Sequence, residues 1–470
     1  MKTMIFTIVT AAAGMMLIGN CEAATQKNIK LHPENPRYFL FRGKPTVLIT
    51  SAEHYGAVLN LDFPQKPYLD ELKRSGMNYT RIFSGAYVEN PEEFSIQHNT
   101  LGSLQDRLIC PWARSNQSGY AMGGMKFDLD KWDDAYFVRL KSFIKEAGRR
   151  GIVVELSFFS PFYNDGIWKI SPMNIANNIN GIGNAGSEEV YSLMYDDLTR
   201  LQETMVRKIV TELKDFDNLF YEICNEPYFH GVTLEWQKHI AGVIAETEAG
   251  FPARHLIAQN INNGTERVTN PDPNVSILNF HYAYPPVAIA DNTAFKGVIG
   301  CDETGFKGQD DSLYVEEGWE FILSGGALYN NLDYSFTAAT PDGSEKVVAP
   351  TPGGGGKSLR AGLSVLKKFI ESFDFTKMHP DISIHPSNTN DSITVCALSE
   401  PGCQYAVYIR GGTSVVLSMI LPEGRYKAAW LNTKTGTGIL TKHFTHAGGP
   451  IELNSPDYEI NIALSIKRVN

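Results

Sequence analysis

Two carboxylate-bearing stretches have the residue types and settings for chemistry. Asn225-Glu226-Pro227 follows the apolar run 219–224 (LFYEIC), and Asp302-Glu303-Thr304-Gly305 closes the run 298–302. Each delivers one Glu at the C-terminal end of a run of strand length. Two carboxyls about 5 Å apart can break a glycosidic bond in two steps: one stays protonated and donates to the leaving oxygen, while the other stays ionised and attacks the anomeric carbon. Glu226 and Glu303 are the candidates for these two roles, and that scheme needs no metal or organic cofactor. Glu155 and Glu222 are competing carboxylates. Both lie in mid-run among apolar residues, where one reads as a buried partner for Arg81.

The elements that must position these groups are legible as a repeat. Eight apolar runs of strand length, at 46–50, 79–84, 152–159, 219–224, 255–259, 276–281, 298–302 and 327–332, alternate with helical patterns at 67–75, 132–150, 189–213, 236–248 and 363–373. Several runs are apolar on both faces, as parallel strands covered by helices are. The pattern predicts an α/β fold, a (β/α)₈ TIM barrel, whose active residues sit at the C-terminal strand ends. Strands four and seven face each other in such a barrel, so Glu226 and Glu303 can meet. Beyond about residue 375 only strand-like alternation remains, which predicts a small C-terminal all-β sandwich of about ninety residues. The chain is thus divided into 1–24, 25–375 (barrel) and 376–470 (sandwich). Pro352 to Gly356 reads as a flexible loop after strand eight.

These motifs in register resemble the clan A retaining glycoside hydrolases, which include the cellulase and β-mannanase families. The resemblance covers roughly residues 30 to 375. It implies that Glu226 on strand four is the acid/base and Glu303 on strand seven the nucleophile, whose charge should raise the pKa of Glu226. It also implies that Asn225 bonds the sugar 2-hydroxyl, that Arg81 at the end of strand two sits near the nucleophile, and that His281 and Tyr282 after strand six flank it. The chain departs from the clan at strand eight, where a Trp platform is expected and Tyr329-Asn330-Asn331-Leu332-Asp333-Tyr334 stands instead. Tyr334 or Asn330 would then supply the sugar floor. Glu53-His54-Tyr55 closes strand one, which makes His54 a candidate for the terminal sugar. Loops 89–125 and 160–186 are long enough to be functional. They hold Trp112, Tyr120, Phe162, Tyr163 and Trp168, rings of the kind sugars stack on, and Trp168 is taken as a substrate contact. Two rivals share these residues: a transglycosylase, and a carbohydrate-binding barrel without catalysis. β-Glucan, β-mannan, β-galactan and host glycans all remain open as substrates, in exo or endo action.

Bulk properties agree with a carbohydrate-directed protein. The 470 residues carry a net charge of −10, 20% charged residues and 43% hydrophobic ones. There is no basic footprint for nucleic acid, and the field disfavours a strongly anionic polysaccharide. Lys2, the apolar run 4–18 and Cys21-Glu22-Ala23 read as a cleaved export leader, too short for a membrane span. The expected location is secreted or periplasmic. Leu17-Ile18-Gly19-Asn20-Cys21 offers the alternative of an outer-membrane lipoprotein anchored through Cys21. No later stretch is a membrane span. Cys224 and Cys301 read as buried small hydrophobes. Cys396 and Cys403 flank a turn and are either a hairpin disulfide or two free thiols. Trp430 is the one sandwich aromatic read as exposed, which favours a scaffold role for that domain.

Overall fold

A computed structural model of the protein describes residues 28–387 and 392–469. The expected leader, with Cys21, lies outside the described residues. The barrel strands are β1 (Leu48–Ala52), β2 (Tyr79–Phe83), β3 (Val153–Phe159), β4 (Leu219–Cys224), β5 (Ile257–Asn263), β6 (Ile277–His281), β7 (Val298–Glu303) and β8 (Leu328–Leu332). Their hydrogen-bonded order is β1-β8-β7-β6-β5-β4-β3-β2, all neighbours parallel. The (β/α)₈ barrel and the C-terminal sheets are both borne out. Strands β1 and β2 meet without a ladder, and Asn78 bridges the seam. Its side-chain oxygen accepts from Ile49 N at 2.9 Å, and its amide donates to Val47 O at 2.8 Å.

Helices α1 (Gln65–Arg74), α2 (Asp134–Arg149), α3 (Asp165–Ile170), α4 (Asp196–Leu213), α5 (Leu234–Thr247), α6 (Val287–Asp291), α7 (Asp311–Leu323) and α8 (Lys357–Glu371) cover the sheet. Asp133 caps α2 through the amides of Ala135 and Tyr136, satisfying donors that a helix start leaves orphaned. The helix expected over 189–213 starts only at Asp196. The segment before it is a turn that Glu189 holds, accepting from Gly186 N and Tyr195 Oη. The loop read over 89–125 contains half of an antiparallel hairpin, Trp112–Ser118 against Met125–Trp132.

The C-terminal strands are β9 (Thr394–Glu400), β10 (Gln404–Arg410), β11 (Val416–Leu421), β12 (Gly424–Leu431), β13 (Gly438–His446), β14 (Gly449–Asn454) and β15 (Asn461–Val469). One sheet runs β9-β10-β15-β12-β13, extended at β9 by His379–Pro380. The other runs β11-β14, extended at β11 by His385–Pro386. Trp430 is not exposed as expected: it is buried among Tyr426, Leu417 and Ile462 between the sheets, because its position on β12 points inward. Cys396 pairs across the hairpin with Tyr408, while Cys403 sits on the turn, and both thiols are free. Cys224 and Cys301 are buried, as read.

Candidate active site

Strand alternation and strand-end backbone geometry bring the chemistry to one end of the barrel. Glu303 is the last residue of β7, and Glu226 lies two residues beyond β4. Tyr55, Glu226 and Tyr282 all adopt left-handed backbone conformations, with φ of 59°, 39° and 49°. Such conformations cost a non-glycine residue free energy and persist where the surroundings impose them. Here they turn three side chains inward at the rim. A carboxylate oxygen of Glu226 lies within 4.8 Å of one of Glu303, and His281 stands between them. Its Nδ1 is 3.1 Å from Glu226 Oε1 and 3.4 Å from Glu303 Oε1, and its Nε2 is 3.4 Å from Asp302 Oδ1.

The two carboxylates are held differently. Glu303 accepts from Tyr282 Oη on Oε1 at 2.8 Å and from Tyr55 Oη on Oε2 at 2.7 Å, with Arg81 Nη1 at 3.5 Å. Three donors thus fix both oxygens of this carboxylate in place. Glu226 accepts from Tyr163 Oη, from Tyr228 Oη at 3.1 Å and from His281. The expectation that Glu226 is raised does not hold. Burial does push it up, but the hydrogen bond and charge of His281, with the two tyrosine hydroxyls, outweigh that and leave it below the usual carboxylate range. The proton is instead held on the histidine. Burial lowers His281, yet the charges of Glu303 and Asp302 keep it well above its ordinary value.

Beneath the pair lies a fully buried ionic layer. Arg81 bonds Glu222 and Asn225 Oδ1, the latter at 2.9 Å, and its Nε is 3.3 Å from Asp302. Glu155 bonds Tyr79 and Asn279. Burial and the neighbouring charges of Glu222 and Asp302 push Glu155 well up, and burial against the opposing pull of Arg81 leaves Glu222 at about 7. Two trios, Glu226–His281–Glu303 and Glu155–Glu222–Asp302, bring three possible metal-ligand atoms close together. In each trio Arg81, His281 or tyrosine hydroxyls already occupy lone pairs that a cation would need.

A cavity of about 330 Å³ opens over the pair, near the lower limit of roughly 300 Å³ for small-molecule sites. Of the residues expected from sequence, Glu226, Glu303, Asn225, Tyr282, His54 and the loop ring Tyr163 line it. Arg81 and His281, expected as substrate contacts, are instead fully buried below it, where they hold the carboxylates. Trp168 is not brought to the cavity. Its indole Nε1 donates to Ala185 O at 2.8 Å and its ring packs on Phe162 at 4.7 Å, so it staples the loop to itself. Tyr334 and Asn330 do not form the floor either. Tyr334 is buried behind His54 and Phe306, and Asn330 lies inside the barrel, donating to Asp302 O. The exposed rings lining the cavity are Phe94, Phe229 and Phe306. Pro352 to Gly356 is packed rather than flexible: a Cβ on Gly353 would lie 1.7 Å from Gly305 O.

Sequence reasoning did not assign Tyr55 and Tyr228 to the carboxylates, Asp302 to His281, or Glu89 to the cavity. Tyr55 and Asp302 are each adjacent to a residue that was singled out, so strand-end position alone could have found them. Tyr228 and Glu89 carry no such signal.

A family model for Cellulase (glycosyl hydrolase family 5) matches residues 42–320. Among solved structures, a glycoside hydrolase family 5 from Bacteroides vulgatus is similar over 94% of this chain and 94% of its own, at 13% identity and a TM-score of 0.64. A second protein from that bacterium is similar over 95% of this chain and 83% of its own, at 14% identity and a TM-score of 0.66. At these identities the likenesses carry the fold alone. No curated protein matches the sequence.

Proposed function

This chain belongs to glycosyl hydrolase family 5, and we propose that it cleaves a β-glycosidic bond of an oligo- or polysaccharide with retention, using Glu303 as nucleophile and Glu226 as acid/base. The observation that carries this reading is the approach of the two carboxylates to within 4.8 Å. Retaining pairs stand about 5–5.5 Å apart, whereas inverting pairs leave roughly 6.5–9.5 Å for a water. Glu303 attacks C1 and the C1–O bond breaks. Glu226 gives its proton to the leaving oxygen, then takes one from the water that releases the glycosyl-enzyme. In the free site that proton rests on His281 Nδ1, and it passes to Glu226 Oε1 along the 3.1 Å contact when sugar displaces water. Asn225 Nδ2, which donates to Tyr163 Oη and Ser160 Oγ, is the group nearest in type to bind the 2-hydroxyl.

A 2-deoxy-2-fluoro-β-glycoside with a dinitrophenyl leaving group should inactivate the enzyme. Peptide mass mapping should then find one fluoroglycosyl unit on Glu303. A label on Glu226, Glu155 or Glu222 would overturn the assignment.

The leader at 1–24 supports export from a bacterial cell, to the periplasm or medium, with a lipid anchor on Cys21 as the alternative. We propose the boundary between barrel and sandwich after residue 375; the end of α8 at Glu371 and the start of the first sandwich strand at His379 support it.

A further inference from the structure

The cavity contains a third carboxylate that the double displacement does not use. Glu89, beyond β2, accepts from His54 Nε2 at 3.0 Å and Asn99 Nδ2 at 2.6 Å on one oxygen, and from Tyr87 Oη at 2.9 Å on the other. Glu89 and His54 are only 2% and 8% exposed, yet both line the cavity. His54 Nδ1 has no hydrogen-bond partner. A buried polar atom without one costs free energy that a ligand group can recover. Burial disfavours charge on His54, but Glu89 outweighs it and the net direction is up, which favours the imidazolium whose Nδ1 can donate.

The position of this pair fixes which part of the substrate it meets. His54 adjoins Tyr55, whose hydroxyl bonds Glu303, the group that attacks C1. Glu226 is tied instead to Tyr228 and, through it, to Asn263 on the opposite arc of the barrel, where the leaving group departs. The glycon therefore points toward His54 and Glu89.

That end of the cavity is walled. The loop after β2 is laced to the loop after β1 by Leu61 N to Arg107 O and Ile109 N to Leu59 O, both 2.9 Å. A Cβ on Gly56 would lie 2.1 Å from Thr100 O, so the two loops touch backbone to backbone there. Gln97 N bonds Thr351 Oγ1 at 3.3 Å, and Gly308 N bonds Pro352 O at 2.9 Å, which continues the wall through the loops after β8 and β7. A chain threading through would need an opening there.

We propose that His54 and Glu89 form a terminal-sugar subsite, donating to and accepting from free hydroxyls at the non-reducing end, and that the enzyme is exo-acting, releasing one sugar unit per turnover. This rests on the hydrolase reading above.

The test uses reducing-end-labelled β-1,4-linked gluco-, manno-, galacto- and xylopentaose and β-1,3-linked glucopentaose, each with and without a 4-O-methyl (for the 1,3-series also a 3-O-methyl) cap on the terminal residue. The wild type should shorten the labelled chain by one unit at a time and leave the capped chains intact. On the matching aryl glycoside, removing the terminal 4-hydroxyl should cost at least about tenfold in kcat/KM. His54→Ala and Glu89→Gln, checked for folding by thermal unfolding, should lose a similar factor on the parent and little more on the 4-deoxy glycoside, since contacting groups couple. A merely structural role would make the losses additive. Additive losses, early internal fragments or cleavage of capped chains would each overturn the inference while leaving the retaining hydrolase reading intact. Silence of the wild type on every substrate would overturn both.

Discussion

At the scale of single residues, the site works by giving two similar carboxyls different partners. Glu303 is held by Tyr282, Tyr55 and Arg81, whereas Glu226 shares its proton with His281. Glu226→Ala should lose at least about a hundredfold in kcat/KM on unactivated glycosides. It should lose far less on a dinitrophenyl glycoside, whose leaving group needs no proton, and azide should rescue it as the β-glycosyl azide. Tyr282→Phe removes a hydrogen bond to an ionised group, worth about 1.5–3 kcal/mol, so a loss of roughly 10- to 150-fold in kcat/KM is expected in steady-state assays. The pH profile tests the proton's location. His281 faces Glu226, Glu303, Asp302, Tyr228 and Tyr282, and its pKa is raised. A raised base keeps its proton below that pKa and loses it above, so activity should fall as pH rises through the elevated His281 value. Asp302→Asn removes one of the charges holding the proton, and the alkaline limb should move to lower pH. An unmoved limb would place the proton elsewhere.

At the scale of elements, the strands were readable because burial on both faces makes them continuous apolar runs bounded by turns. Their ends therefore gave Glu226 and Glu303 directly. The short helices α3 and α6 have too few residues for a helical period to register. A ring in a long loop serves sugar stacking and loop self-packing equally well in sequence: Tyr163 lines the cavity, whereas Trp168 packs within its loop. The strand-eight floor failed likewise, because the residues after β8 turn behind His54 rather than over the pair. The barrel seam is the element-scale feature most open to test. Asn78→Ala deletes two side-chain hydrogen bonds between β1 and the start of β2. It should cost about 1–3 kcal/mol in denaturant unfolding, with unchanged KM in the surviving enzyme.

At the scale of the whole molecule, the sandwich is built onto the barrel. Trp319 of α7 stacks on Tyr408 of β10 at 5.2 Å, and Arg410 pairs with Glu320 at 2.5 Å. Leu398, Ala406, Tyr408 and Ala463 belong to the barrel's hydrophobic cluster, while a second cluster fills the space between the two sandwich sheets. The change of texture near residue 375 marked where strands replace helices, but not this shared core, since a residue's partner across an interface leaves no periodicity in sequence. Tyr408→Ala should destabilise by about 3–5 kcal/mol, as other buried aromatic truncations do. Calorimetry should show barrel and sandwich losing stability together; an unaffected barrel transition would mean that the two are independent.

Glu226 and Glu303 stand close enough for direct attack rather than water-mediated displacement. Proton NMR of the first product from a cleaved β-glycoside reads this most directly. The β-anomer should appear first and then mutarotate. Initial formation of the α-anomer would contradict the pair, the spacing argument and the two-step mechanism together.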